Sequence, residues 1–231
     1  MDNAYETILS VNLRKLEENY NYLKSKLLDN CKIIAVVKAY AYGHGDKEIS
    51  MKLESLGVRH FWVADFEEGV NLRRSGIQSN IIVSNPGMKS FEEIIANNLD
   101  VVIHNHCLLD YYVSKKREVR VHIKLNAGMN RYGFNPNEVK NLASKLQSNK
   151  FLKIQSICSH LSDSDDPHKI HSTLNQIKVF ETAACEFINQ SGLNVDKHIL
   201  NSSGLIFYPE HQFNMVRIGI GLYGSGPDKN L

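Results

Sequence analysis

The sequence lacks the marks of several large functional classes. No apolar run approaches the roughly 20 residues that cross a bilayer, so no membrane partner is expected. No basic block stands out either. With 27 Lys and Arg against 25 Asp and Glu the net charge is +2, and no nucleic-acid partner is expected. Met1-Asp2-Asn3-Ala4-Tyr5-Glu6 has neither the basic n-region nor the apolar h-region of a secretory leader. The four cysteines (Cys31, Cys107, Cys158, Cys185) form no CxxC pair and follow no secreted-type spacing, which points to reduced thiols and a cytoplasmic location. Linkers, low-complexity stretches and short-period repeats are missing too. What remains is an ordinary globular composition, 42% hydrophobic and 23% charged, read as one domain over residues 1–231.

The stretch Lys32 to Gly45 organises the rest. Lys32-Ile33-Ile34-Ala35-Val36-Val37 is a short β-branched run, expected as a strand buried on both faces. It opens abruptly onto Lys38 and closes in a Gly43-His44-Gly45 turn. Before it, Leu13, Leu16, Tyr20, Leu23 and Leu27 recur at helical spacing. After it, strands are expected at His60–Ala64, Asn80–Ser84, Asp100–His104, Val119–Leu125, Ile154–Ser159, Lys197–Leu200 and Met215–Ile220, nearly all separated by helical segments. The longest helical stripe carries Leu174, Ile177, Phe180, Ala184, Phe187 and Ile188 and ends at Gly192. Eight strands alternating with helices predict an α/β fold with a parallel sheet: a closed (β/α)8 barrel first, an open doubly wound sheet as the alternative.

In such folds the chemistry gathers at the carboxyl ends of the strands. The residues expected there are Lys38, Asn85, Lys124, Arg131, His160, Asn201, Ser202, Arg217 and Gly219-Ile220. Together they make a cationic, hydrogen-bonding bowl suited to an anion, a phosphate foremost. The segment from His160 to His171 also holds Asp163, Asp165, Asp166 and His168. It has no regular ligand spacing, and capping explains Asp165 and Asp166 before Pro167, so no metal site is expected.

Ala35-Val36-Val37-Lys38-Ala39-Tyr40-Ala41-Tyr42-Gly43-His44-Gly45 closely resembles the pyridoxal-phosphate lysine motif of alanine racemases, with Tyr40 where that family usually has Asn. Four further stretches match in the family's order. These are Val63-Ala64 with Glu67-Glu68 and Leu72-Arg73; Gly128-Met129-Asn130-Arg131-Tyr132-Gly133; Ser159-His160-Leu161 with Asp165-Asp166; and Asn201-Ser202-Ser203 followed by Val216-Arg217-Ile218-Gly219-Ile220 with Leu222-Tyr223-Gly224. The resemblance covers almost the whole chain. It implies that Lys38 holds pyridoxal phosphate as a Schiff base and then serves as an acid/base at the substrate Cα. Tyr42, Ser202 and the backbone N–H groups of Gly219 and Ile220 would cradle the phosphate, beside Asn201. His160 would pack against the ring. Arg217 would face the pyridine nitrogen, where a permanent cation disfavours protonation and so favours return of the proton to Cα over side reactions. Arg131 would meet the substrate carboxylate, supported by Lys124 at a position often carbamylated in the family. Asn126-Ala127-Gly128 departs from the family's Asp-Thr-Gly.

Alanine racemases continue into a β-rich domain that carries an opposing catalytic tyrosine to the partner subunit of a homodimer. Residues 1–231 do not supply that domain. The resemblance therefore implies weak or no racemisation of alanine, or of serine, by this stretch alone. The alternative is a single-domain pyridoxal-phosphate-binding homeostasis protein, which the length fits and the Ala-Tyr-Gly-His-Gly continuation does not.

Overall fold

A computed structural model describes residues 7–226; the reading of Met1–Glu6 lies outside them. Eight strands run parallel: β1 (Lys32–Val36), β2 (His60–Val63), β3 (Asn80–Val83), β4 (Asp100–Ile103), β5 (Val119–Lys124), β6 (Leu152–Cys158), β7 (Asp196–His198) and β8 (Met215–Ile218). Their order is β7-β6-β5-β4-β3-β2-β1-β8. The ring is completed without a regular ladder, by Asn214 N–H donating to the Lys197 carbonyl at 3.1 Å and Arg217 N–H to that of Leu200 at 3.0 Å. The expected (β/α)8 barrel is the observed fold.

Among the described residues nine α-helices follow: α1 (Leu13–Lys24), α2 (Lys38–Gly43), α3 (Asp46–Ser55), α4 (Phe66–Arg74), α5 (Phe91–Ala96), α6 (His106–Ser114), α7 (Val139–Gln147), α8 (Ile170–Ser191) and α9 (Ser202–Phe207). Local chemistry starts and stops them. Asn12, Asp65, Asn105 and Asn201 accept first-turn N–H groups of α1, α4, α6 and α9. Acidic residues open α4 and Arg73 and Arg74 close it, in the sense of the helix dipole.

Two cores result from the period-2 alternation of the strands. Ile33, Ala35, Phe61, Val63, Ile81, Val83, Val101 and Val121 pack outward against the helices. Ile34, Val36, Trp62, Ile82, Val102, Cys158 and Met215 form a separate cluster in the lumen. Strands β1 to β4 thus give the lumen a largely apolar half, with Asp100 at the amino end of β4 turned toward the other. Its other half is polar, because His122, Ser156, His198 and Arg217 hydrogen-bond to one another there.

Some elements differ from expectation. Strand β6 starts two residues early, at Leu152, paired to Val119. Leu174 is exposed, because at this end α8 turns Thr173 and Gln176 inward to hydrogen-bond the Asp163 carbonyl and Ser162. Most consequential is α2, where the sequence predicts only a turn. Ala39, Tyr40, Ala41 and Tyr42 have φ of 52, 53, 53 and 54°, a left-handed turn without glycine. Each such residue costs about 1–2 kcal/mol. The surroundings impose it: Glu68 accepts Ala39 N–H at 2.7 Å and Ala64 N–H at 2.7 Å, while Ala41 is fully buried. Local propensity could not foretell it. Strain of this kind gathers at functional sites.

Candidate active site

The carboxyl ends of the strands surround a cavity of about 320 Å³, at the small end of the range for ligand pockets. Lys38, Tyr42, Lys124, Arg131, His160, Asn201, Ser202, Arg217, Gly219 and Ile220, the ten site candidates from the sequence, all line it. Asn85, at the end of β3, does not; Ser84 is the lining residue there. Four of the lining side chains are cations and none is a carboxylate. Among the described residues no Asp or Glu pairs with Lys38, Lys124, Arg131 or Arg217. A cavity that concentrates positive charge without internal compensation is built for an anion.

At one end lies a close approach of backbone and side chain. Ser202 Oγ accepts the N–H of Gly219 at 3.1 Å and of Gly221 at 3.2 Å. Its own proton is left for a further acceptor. The Gly219 N–H, expected to point at a ligand, is therefore engaged by Ser202; its small acceptor outcompetes open space. A Cβ at 219 would lie 2.7 Å from Tyr42 Oη, so a larger residue there would push the Tyr42 hydroxyl out of its place. Burial raises the Tyr42 phenol, keeping it a neutral donor. Tyr42 packs on Tyr223, whose hydroxyl donates to the Val36 carbonyl at 3.1 Å and whose ring stacks on His44. Asn201 lines the cavity while its Oδ1 accepts from Gly204 N–H and Ser164 Oγ, so that oxygen serves as the cap of α9.

Arg217 forms the floor. Its terminal nitrogens donate to the carbonyls of Ser159, His198 and Ile199 and to His198 Nδ1 and His160 Nδ1. No ion pair with Glu210 exists; that carboxylate pairs with His211. Burial lowers the Arg217 guanidinium to about 10, still a cation at neutral pH. Burial, then Arg217, holds His160 and His198 well below the usual histidine range, so both are neutral. Trp62 lies under Arg217, its ring centroid 5.5 Å from the guanidinium carbon.

Lys124 and Arg131 flank the opposite wall. Burial, aided by Arg217, Arg131 and Lys38, lowers the Lys124 ammonium to about 8. The loop between them returns to the sheet where Phe134 N–H donates to the Lys124 carbonyl and Asn126 N–H to that of Phe134. Gly133 makes the return possible: its φ is +122°, and a Cβ would meet the Leu125 carbonyl carbon at 2.5 Å. Asn126 Oδ1 accepts from Gly128 and Asn130 N–H, which organises the loop despite the departure from Asp-Thr-Gly.

Asp166 caps a short turn by accepting His168 N–H, and among the described residues no group of three His, Cys, Asp or Glu could hold a metal. Arg73 lies outside the cavity and binds backbone carbonyls of Asn97, Asn98, Ser79 and Ile77. The sequence reading missed Trp62, Cys158, Ser159 and Ser203 in the lining, and Glu68 and His198 behind it. Alternation in β2, β6 and β7 is the signal that marks Trp62, Cys158 and His198 as inward. Among the described residues no helix is long and apolar enough to cross a membrane.

The family model for the alanine racemase N-terminal domain matches residues 11–227. An alanine racemase of Treponema denticola is 35% identical over 229 residues, 96% of this chain and 60% of that one. An amino-acid racemase of Enterococcus faecalis is 35% identical over 93% of this chain and 31% of its own length. Among solved structures, an alanine racemase of Clostridium difficile in complex with cycloserine superposes with a TM-score of 0.86 at 30% identity, covering 96% of this chain and 62% of that one. The chain spans about 60% of the length of most curated relatives it matches.

Proposed function

From the premise that the chain belongs to the alanine racemase family, matching its N-terminal domain, we propose that residues 1–231 form the pyridoxal-phosphate-binding domain of an amino-acid racemase. The substrate is a small amino acid, alanine first and serine second, and the product D-alanine suits cell-wall precursor supply. The working form is a cytoplasmic homodimer. One observation carries the reading: four cations without a carboxylate converge on a cavity beside a serine–glycine cradle, with a lysine at the strand end.

The residues fit the cofactor. Ser202 and Tyr42, close against Gly219, would hold the phosphate. The Nε–H of Arg217, for which no acceptor is present among the described residues, would meet the pyridine nitrogen. Lys38 would carry the covalent link. When bound, pyridoxal phosphate supplies a conjugated system that spreads the electron pair left when a substrate Cα loses its proton. Lys38, at the strand end, would also be the amine placed to remove or return the proton on the face it reaches. Arg131 orients the substrate carboxylate, and Arg217, a cation at neutral pH, opposes protonation of the pyridine nitrogen.

The test is covalent capture. Protein given pyridoxal phosphate and then borohydride should carry the adduct on Lys38 in a peptide map. An adduct elsewhere, or none in folded protein, overturns the reading. Residues 1–231 alone should interconvert D- and L-alanine about 10²–10⁴-fold more slowly than the same residues joined to a matching C-terminal domain of the family, which would supply the second base.

A further inference from the structure

A line of buried side chains runs down the polar half of the lumen, from Arg217 below the cavity to Asp100 at the amino end of the barrel. Arg217 contacts His198 Nδ1. His198 Nε2 lies 2.9 Å from Ser156 Oγ, and Ser156 Oγ lies 2.6 Å from His122 Nδ1. His122 Nε2 lies 3.4 Å from Asp100 Oδ2. Arg120 Nε donates to the other Asp100 oxygen at 2.6 Å. All five residues from Arg217 to Asp100 are buried, Ser156 and His198 completely.

The donor and acceptor inventory leaves the line one direction. Arginine has only donors, so His198 Nδ1 must carry no proton and accept. A neutral His198 then holds its proton on Nε2 and donates to Ser156. That hydroxyl, accepting from His198, has its own proton free for a neutral His122, whose Nδ1 accepts it. His122 is then protonated on Nε2 and donates to Asp100, an ionised carboxylate with only acceptors. Both ends dictate the same polarity. With both histidines neutral, reversing any one link would set two donors or two acceptors against each other in a buried space, at the full cost of an unmade hydrogen bond.

We infer that Asp100, His122, Ser156 and His198 are positioning residues, a one-way hydrogen-bond line that orients the Arg217 guanidinium toward the cofactor from the far end of the barrel. The line pins one terminal nitrogen of Arg217; the carbonyls of Ser159 and Ile199 pin the other. Its Nε–H is thereby left for the cavity. This deepens the cofactor reading and rests on it for the role of Arg217, but the polarity of the line stands on geometry alone.

Nitrogen-15 NMR of the histidines, on the protein without cofactor near pH 7, reads that polarity directly. His198 should be neutral with its proton on Nε2, and His122 should carry a proton on Nε2. A proton on His198 Nδ1, or a doubly protonated His198, overturns the inference. Ser156→Ala cuts the line at its middle. It should convert His198 from one tautomer to a mixture and weaken pyridoxal-phosphate binding about tenfold, the worth of roughly one buried hydrogen bond. Ser156→Thr, which keeps the hydroxyl, should restore both. Asp100→Asn tests the same line from its end, should S156A not fold, and should disturb the His122 signals with a smaller loss of affinity. Unchanged tautomers and affinity in the folded variants overturn the positioning role while leaving the cofactor reading intact. Failure of the unmutated protein to take up pyridoxal phosphate, with tautomers as stated, instead overturns the cofactor reading and the role built on it.

Discussion

Strand β1 has a lysine at its start and another just past its end, and the two are handled oppositely. Lys32, at the amino end of the barrel, pairs with Asp196 at 2.8 Å. Lys38, at the carboxyl end, has no carboxylate partner among the described residues, and its ammonium lies 5.9 Å from the Tyr42 ring centroid. Strand β5 repeats the contrast. Arg120 near its start binds Asp100, whereas Lys124 at its end stands in the cavity wall without an acid. The amino end of this barrel neutralises its cations with its own side chains and so serves stability. The carboxyl end leaves its cations unpaired, at the expense of stability, and so reserves them for a ligand.

The sharpest way to break the contrast is to remove Lys38. Lys38→Ala should abolish covalent capture of pyridoxal phosphate entirely, as read by borohydride reduction and mass spectrometry, while leaving the urea midpoint nearly unchanged.

At the other end, Asp100→Ala should cost about 3 kcal/mol in urea unfolding, because it strands the buried His122 and half-buried Arg120. A pH series adds the sign. Burial by itself raises the Asp100 carboxyl, but hydrogen bonds from His122 and Arg120 outweigh it and hold it below the ordinary carboxylate value. The unfolded chain therefore takes up the proton first. The stabilisation should be complete above about pH 4 and fade on further acidification. D100N should remove that part of the acid dependence.

Lys124 differs in that its charge costs the ligand-free fold stability instead of supplying it. Its ammonium titrates near 8 in the fold against about 10.4 in the unfolded chain, so the unfolded state holds the proton more tightly between those values. Without ligand, and in bicarbonate-free buffer, stability should rise as pH goes from 8 to 10. Lys124→Met should flatten the rise and stabilise the ligand-free protein at pH 7 by about 1–3 kcal/mol. The same variant should bind pyridoxal phosphate more weakly.

The smallest effect belongs to Lys32→Gln. Both partners of the Lys32–Asp196 pair are substantially solvated. The loss should stay under about 1 kcal/mol and shrink further in salt. A larger loss would mean that the amino end depends on individual surface pairs rather than on the buried Asp100 cluster.

The barrel and its ligand face were legible in the chain because both rest on local periodicity. Runs such as Ile81-Ile82-Val83 and Val101-Val102-Ile103 announce strands covered on both sides, and the intervening stripes announce helices. Nine of the ten cavity-lining candidates were legible because a parallel strand has only one carboxyl end, with Lys38, Lys124 and His160 at or beyond three of them and Arg217 within β8; Tyr42 came from the family resemblance alone. Leu174 misled because amphipathic spacing marks a face without saying what will cover it. The left-handed turn at Ala39, Tyr40, Ala41 and Tyr42 was hidden because no residue there favours it.

The sequence by itself determined the order of elements, the alternation that sends Arg217, His198 and His122 into the lumen, and the excess of cations at the strand ends. These follow from spacing along one chain. Only the tertiary structure decided which cations find acids. It also decided that Ser202 meets Gly219 and Gly221 across 17 and 19 residues, and that Glu68 holds α2 from 29 residues away. The physical reason is that hydrogen bonds and ion pairs depend on distances in space, which closure of the ring sets and local periodicity does not carry.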